Sequence, residues 1–187
     1  GRQLRASGCV RSMPSTAEDL YKYLASGTIK GIGPATAQKI IEEFGEDAFD
    51  VLENHPEKLS KIRGISREKA NTISTEFGRQ FAVRQTLIAL EKYGMTSRES
   101  LNTYKIFGFN AVETVRKNPY LLCAEGIGIN FERAEAIAAA LPDAPPEIYR
   151  NRAGVLHVLR HNLGNGHTCC PREKLSAISA ELLQIGE

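Results

Sequence analysis

FGEDAFDVLENHPEKL, residues 44–59, returns as FGFNAVETVRKNPYLL, residues 107–122, at an offset of 63, from position 44 to position 107. Phe44 pairs with Phe107, Gly45 with Gly108, Ala48 with Ala111, Pro56 with Pro119 and Leu59 with Leu122, all in one register. That agreement marks an internal duplication, and a duplication constrains the architecture before any single element is assigned.

A shorter unit is nested inside the long one: a glycine, an apolar residue, a small or capping residue, and a second small residue six positions after the glycine. The copies are Gly31-Ile32-Gly33 with Ala37, Gly64-Ile65-Ser66 with Ala70, Gly94-Met95-Thr96 with Ser100, and Gly128-Ile129-Asn130 with Ala134. The fourth has an earlier rival register, Gly126-Ile127-Gly128, and the sequence leaves both open. After the units the apolar spacing is helical: Ala37, Ile40, Ile41 and Phe44, and again Ala134, Ile137, Ala138 and Leu141, follow i, i+3, i+4, i+7. Strand alternation is absent between about Thr16 and Leu141, and Asn54-His55-Pro56 and Asn118-Pro119 read as breaks. The expected fold is mainly all-α, with eight or more short helices in paired hairpins.

Gly33, Ser66, Thr96 and Asn130, third in their units, are all favoured N-cap types, so each unit reads as a tight turn feeding a helix N-terminus. Pro34 suits the first helical position, and Thr96 with Glu99 has capping-box spacing. Free N–H groups at such a turn carry partial positive charge and bind an anion such as a phosphate without any side chain. The apolar middle residue, Ile32, Ile65, Met95 or Ile129, is expected to anchor the turn on its own helices.

Basic residues add a second layer: Lys30 and Lys39 at the first turn, Lys61, Arg63, Arg67 and Lys69 at the second, and Arg98 at the third. Glu125 and Glu132 surround the fourth, while Glu42, Glu43, Glu46, Asp47, Asp50 and Glu53 read as a solvated face. The candidate phosphate contacts are therefore Gly31, Ile32, Gly33, Thr36 and Lys39; Gly64, Ile65, Ser66, Arg67 and Lys69; Gly94, Thr96 and Arg98; and Gly128 and Asn130.

Composition excludes several classes. With 187 residues, 42% hydrophobic and 25% charged, the chain is long and apolar enough for a core. No apolar run approaches the roughly 18 to 20 residues of a membrane span, so no membrane partner is expected. Lys and Arg number 24 against 22 Asp and Glu, a net charge of +2 that leaves a nucleic-acid partner to be decided by charge distribution. Cys9, Cys123, Cys169 and Cys170 show no CxxC spacing, and no signal peptide is seen, so reduced thiols and a cytoplasmic location are expected.

The ends depart from the repeat. Residues 1–13 contain a partial alternation, Leu4, Ala6, Gly8 and Val10, that reads as a strand left from a truncated domain. Residues 14–78 form the first double module and 79–141 the second. Residues 142–187 begin with the Pro-rich PDAPPEIY, continue as an amphipathic stretch, a Gly-Asn-Gly turn and a helix from near Pro171, and are expected to stop partway through another domain.

The four glycine units resemble the helix-hairpin-helix family of DNA-binding modules, here as a duplicated double module. GRQLRASG, then TAEDLYKYLASGTIKGIGPATAQKIIEEFG, then NPYLL, and later RAGVLHVLRHNLGNGHTCCPREKL further resemble the N-terminal region of RecD/TraA-type superfamily 1 DNA helicases in their long form. That resemblance implies an OB-type barrel ending in residues 1–10 and a winged-helix-like segment over 147–187. It also implies a parent that moves 5′ to 3′ on single-stranded DNA using ATP and Mg, with single-stranded or forked DNA and the parent's own motor domains as partners. A monovalent cation at a hairpin is the one cofactor the family adds. No GxxxxGK[ST] loop occurs, so this chain by itself is not expected to hydrolyse ATP. Ser66 and Asn130 stand where the family has its second glycine.

No catalytic or metal constellation emerges. His167, Cys169 and Cys170 do not supply four ligands at zinc spacing, and His157 and His161, four apart, lack a third and read as solvent- or partner-facing. Ser-His-Asp and Cys-His pairings find no support, and Asp143 lies in the Pro-rich linker rather than following a single hairpin as in base-excision glycosylases. Two further readings remain open: a helix-hairpin-helix module of a non-helicase repair or junction-processing protein, and a protein-interaction region with degenerate hairpins.

Overall fold

The computed structural model describes residues 12–185, so the strand expected at residues 1–10 lies outside the described residues. Ten α-helices follow in order among the described residues: α1 (Ala17–Ala25), α2 (Pro34–Phe44), α3 (Ala48–Asn54), α4 (Pro56–Leu59), α5 (Arg67–Glu91), α6 (Ser97–Phe107), α7 (Ala111–Lys117), α8 (Phe131–Ala139), α9 (Glu147–Gly164) and α10 (Arg172–Leu183). Short 3-10 turns cover Gly45–Asp47, Gly108–Asn110 and Pro119–Cys123. No strand occurs among the described residues. The all-helical middle is as expected, whereas residues 142–185 hold only α9 and α10 and show no wing.

The duplication is visible in the element bounds. α2 and α6 begin at 34 and 97, the following 3-10 turns at 45 and 108, α3 and α7 at 48 and 111, and the proline-led turns at 56 and 119. Every pair keeps the offset of the sequence repeat. The expected breaks have a local cause: His55 (φ −131°, ψ 53°) and Asn118 (φ −150°, ψ 87°) leave the helical region, as a residue before proline must. Asn118 also accepts the Tyr120 N–H at 3.2 Å through its side chain.

Two compact units divide at Ile88/Ala89. The module boundary read from sequence, 78/79, falls inside α5, where Gly78 is accommodated in a continuous helix, and residues 142–185 fall in the second unit. In the first unit Leu20, Leu24, Ile29, Ile40, Leu52, Leu59, Ile73 and Phe77 are buried. Phe77 meets Phe49 edge-on at 5.4 Å and stacks on Phe81 at 5.8 Å. Arg84 lies over the Tyr23 ring at 5.1 Å and donates to the Ser12 carbonyl at 2.6 Å, tying the start of the described chain to α5.

The second unit has its own core, with Leu90, Val115, Leu122, Ile127, Ile137 and Leu183 buried. Gly154 lets α10 approach α9 closely, because a Cβ there would stand 2.7 Å from Leu183 Cδ2. Arg150 on α9 grips the Glu135 carboxylate from two nitrogens and donates to the Leu183 carbonyl at 2.8 Å. Helices this short are marginal alone in water and depend on such packing.

Candidate nucleic-acid interface

Each glycine unit is a turn that delivers the chain to a helix N-cap. Gly31 (φ 94°), Gly64 (φ 97°) and Gly94 (φ 78°) occupy the left-handed region that an L side chain adopts only at a cost. The first two turns close through Ile32 N–H to the Ile29 carbonyl at 3.1 Å and Ile65 N–H to the Ile62 carbonyl at 3.0 Å. Ile32, Ile65, Met95 and Ile129 are all buried, so the apolar middle residue is the anchor that holds each turn on its helices.

The fourth unit uses both of its registers. The turn closes from Ile127 N–H to the Ala124 carbonyl at 3.5 Å around Gly126 (φ 88°), matching the first two turns. Gly128 (φ 82°) then leads through Ile129 to the N-cap at Asn130, which keeps the glycine-to-cap spacing of the other units. Two glycines in sequence therefore share what one glycine does elsewhere, and the hairpin is longer.

The four caps differ in what occupies them. At α2 the N-cap is Gly33 (φ −109°, ψ 175°), with no side-chain cap and no acid in the first turn. At α5 the Ser66 hydroxyl takes the Lys69 N–H at 3.2 Å, and at α8 Asn130 Oδ1 takes the Arg133 N–H at 2.9 Å. At α6 the capping box is complete: the Thr96 hydroxyl takes the Glu99 N–H at 3.3 Å, and Glu99 Oε2 takes the Thr96 N–H at 2.7 Å. A carboxylate thus already sits where a phosphate would bind the third hairpin. Arg133 secures it, donating to both Glu99 oxygens at 3.0 Å and to the Gly94 carbonyl at 2.6 Å. The Arg133 hydrogen bonds hold the Glu99 carboxyl below its ordinary value.

The basic residues distribute unevenly. Lys61, Arg63 and Arg67 are exposed and Lys69 half-buried around the second hairpin, and no carboxylate of the described residues is within ion-pair distance of any of them. Glu68 stands in the same first turn and subtracts from that charge. Lys39, exposed on α2, donates to the Arg63 carbonyl at 3.4 Å, so it serves the first helix and the second turn together. Thr36 is half-buried, its N–H bonded to the Gly33 carbonyl at 3.0 Å. Arg98 is exposed at the third hairpin, and Glu132 of α8 lies 3.5 Å from His157. All six residues of the acidic run from Glu42 to Glu53 are exposed, as a solvated face requires.

Sequence reasoning missed Arg133, because its role depends on a contact with Glu99 thirty-four positions away and no local spacing announces it. His161 is exposed, and His157, half-buried, packs on Phe131 at 5.6 Å while still lining an open groove, in keeping with solvent- or partner-facing histidines. Cys123 is half-buried, and burial pushes its thiol up, away from the thiolate form that nucleophilic or metal chemistry uses.

Glycine turns of positive φ, each seated by a buried apolar residue before a helix N-cap and duplicated in pairs, define a tandem helix-hairpin-helix protein. Comparison with known proteins agrees: residues 21–79 match the SAM-like helix-hairpin-helix tandem, and residues 79–169 match the helix-hairpin-helix domain of ATP-dependent RecD2 DNA helicases. An ATP-dependent RecD2 DNA helicase of Deinococcus radiodurans is 28% identical over 147 residues, which are 78% of this chain and 20% of that protein. These matches support one assignment, the helix-hairpin-helix region of a RecD2-type helicase. The chain spans about a fifth of the length of that relative. No solved structure matches it.

Proposed function

We propose that this chain is the DNA-binding accessory region of an ATP-dependent 5′–3′ DNA helicase acting in repair or recombination in the cytoplasm, and that it grips DNA phosphates, without reading sequence, mainly through its first and second hairpins. The observation that carries the reading is the contrast between caps. The α2 N-terminus presents the N–H groups of Gly33 and Ala35 with no acidic residue in its first turn, while the α6 N-terminus is filled by Glu99. Next to the open cap, the second hairpin supplies Lys61, Arg63, Arg67 and Lys69 without acidic partners. A phosphate finds backbone donors at one turn and guanidinium and ammonium groups at the other, which positions a backbone and carries no base information.

Single-stranded or forked DNA fits the helicase relationship as the substrate, and the motor domains of the parent fit as the intramolecular partner. ATP and Mg belong to that motor. The present sequence lacks the phosphate loop and contributes binding only. Sequence-independent binding through phosphates is strongly salt-dependent, because each neutralised phosphate releases counterions. The deciding experiment is a titration of single-stranded, forked and duplex DNA at several salt concentrations with wild type, Arg67→Ala and Lys69→Ala. Each substitution is expected to weaken binding evenly across sequences and to reduce the salt slope by about 1. Equal affinity of all three proteins at every salt concentration would sink the reading in favour of a protein-interaction region.

A further inference from the structure

A groove of about 450 Å³ opens in the second unit between the 3-10 turn Pro119–Cys123, the start of α8 and one face of α9. Its volume lies within the roughly 300 to 1,000 Å³ typical of small-ligand sites. Leu121 and Leu156 form its rim, exposing 43% and 51% of their surface to water, and the Phe131 ring lies at its base. Large apolar side chains left this open beside a cavity call for an occupant with an apolar face.

The charges say what else that occupant carries. Arg152 and Arg160 both line the groove from α9, two helical turns and about 12 Å apart along the axis, one on each side of Leu156. Arg160 spends one N–H on the Cys123 carbonyl at 2.7 Å and keeps the rest of its fork. No carboxylate lines the groove among the described residues. Of the acids around it, Glu135 is taken by Arg150 and the Tyr120 hydroxyl, Glu132 lies 3.5 Å from His157, and Glu125 stands exposed next to Ala124. Asn130, the cap of the fourth hairpin, also lines the groove.

We infer that the groove receives one unpaired base of single-stranded DNA, its flat apolar face against Leu121 and Leu156, with the flanking phosphates on Arg152 and Arg160. The inference rests on the DNA-binding reading and deepens it. Hairpins holding phosphates do not distinguish one strand from two, whereas this groove does, since a base in a duplex must first leave its stack to enter. Apolar surfaces set in a cationic track are how single strands are held without sequence preference. An acidic peptide with an apolar side chain shares part of this chemistry, and it is the DNA-binding reading of the chain that favours the nucleotide.

The test uses a short single-stranded oligonucleotide carrying one 2-aminopurine, and a blunt duplex of the same length, with wild type, Leu156→Glu, Arg152→Ala and the hairpin variants Arg67→Ala and Lys69→Ala. Leu156 is exposed, so Leu156→Glu is expected to fold, and an unchanged melting temperature confirms that it has. Wild type is expected to prefer the single strand by about tenfold and to change the 2-aminopurine fluorescence. Leu156→Glu is expected to erase both effects while duplex affinity holds within about twofold, and Arg152→Ala to reduce the preference in the same direction. The hairpin variants should weaken both ligands alike. Leu156→Glu binding single strands as wild type does, with the same fluorescence change, would overturn the groove assignment and leave the hairpin reading standing. Hairpin variants with unaltered affinity, beside a groove variant that loses the single strand, would overturn the hairpin reading alone. An acidic leucine-bearing peptide that occupies the groove in a folded protein indifferent to the oligonucleotide would also overturn the assignment.

Discussion

Lys39 and Asn102 hold equivalent places in the two halves, and each reaches from the helix of one hairpin to the carbonyl just before the glycine of the next. Lys39 Nζ donates to the Arg63 carbonyl at 3.4 Å, and Asn102 Nδ2 donates to the Ile127 carbonyl at 3.2 Å. The contact is duplicated with the fold, but the charge is not. Lys39→Ala should therefore weaken DNA binding evenly across sequences and flatten the salt dependence by about 1. Asn102→Ala should cost about 1 kcal/mol of stability through the lost hydrogen bond and leave DNA affinity alone. Thermal melts and salt titrations of the two variants side by side check this. A DNA defect in Asn102→Ala as large as that in Lys39→Ala would mean that turn geometry, not charge, is what Lys39 contributes.

The period of the duplication, the helical middle and all four turns were legible because each rests on local chemistry: a glycine, a cap and a proline act within a few residues of themselves. Thr96 with Glu99 could be read as a capping box for the same reason, but that its carboxylate closes the third hairpin to a phosphate could not, because Arg133 completes the lock from α8. The fourth hairpin resisted for a different reason. Gly126 and Gly128 both take positive φ, so the choice between registers had no single answer. The Leu156 groove was invisible because α9, the 3-10 turn and α8 meet only in three dimensions.

Gly31 and Gly33 should respond differently to the same substitution. Gly31 stands at φ 94°, and a Cβ there would lie 3.5 Å from Ile73, so Gly31→Val should destabilise the first unit by about 1 to 2 kcal/mol. Gly33 has an ordinary extended backbone and open space around it, so Gly33→Val should lower melting only through the poorer N-cap, by less than Gly31→Val does. Its side chain would nonetheless stand where a phosphate must approach the α2 N-terminus, and DNA affinity should drop severalfold with little change in salt slope. Unchanged affinity in Gly33→Val would remove the first hairpin from the interface.

Acid stability should depend on the Glu99 lock. The Arg133 hydrogen bonds hold Glu99 below its ordinary value of 4.5. Burial pushes Glu135 up, but its bonds to Arg150 and Tyr120 outweigh that and leave it lowered too. A carboxyl whose folded value is depressed stabilises the fold fully above the unfolded value and loses that contribution as pH falls through the folded one. Melting temperature should accordingly hold from neutral pH to about 5 and fall below 4.5. Glu76, which its bonds to Arg79 and Gln80 draw down to about 2, adds the same trend in the first unit, so the informative quantity is the difference between wild type and Glu99→Gln at each pH. That difference should shrink on acidification. A constant difference from pH 7 to 3 would show that the Glu99 charge contributes nothing.

Removing the same carboxylate altogether should turn the third hairpin into a phosphate site. In the wild type the Thr96 N–H is taken by Glu99 Oε2 at 2.7 Å, and Arg133 is spent on Glu99 and the Gly94 carbonyl. Glu99→Ala frees that N–H, leaves Arg133 without its acidic partner beside the exposed Arg98, and so assembles at α6 the backbone donor and cations that the first two hairpins offer. The cost is the capping box and a half-buried ion pair, and the melting temperature should fall. DNA affinity should nevertheless rise at low salt, with the slope of log K against log salt steepening by about 1 as one more phosphate is neutralised. Stability and affinity moving in opposite directions is the signature, because a variant that merely loosened the second unit would lose both. Glu99→Ala with lower stability and an unchanged salt slope would show that the third hairpin is a structural turn whatever occupies its cap.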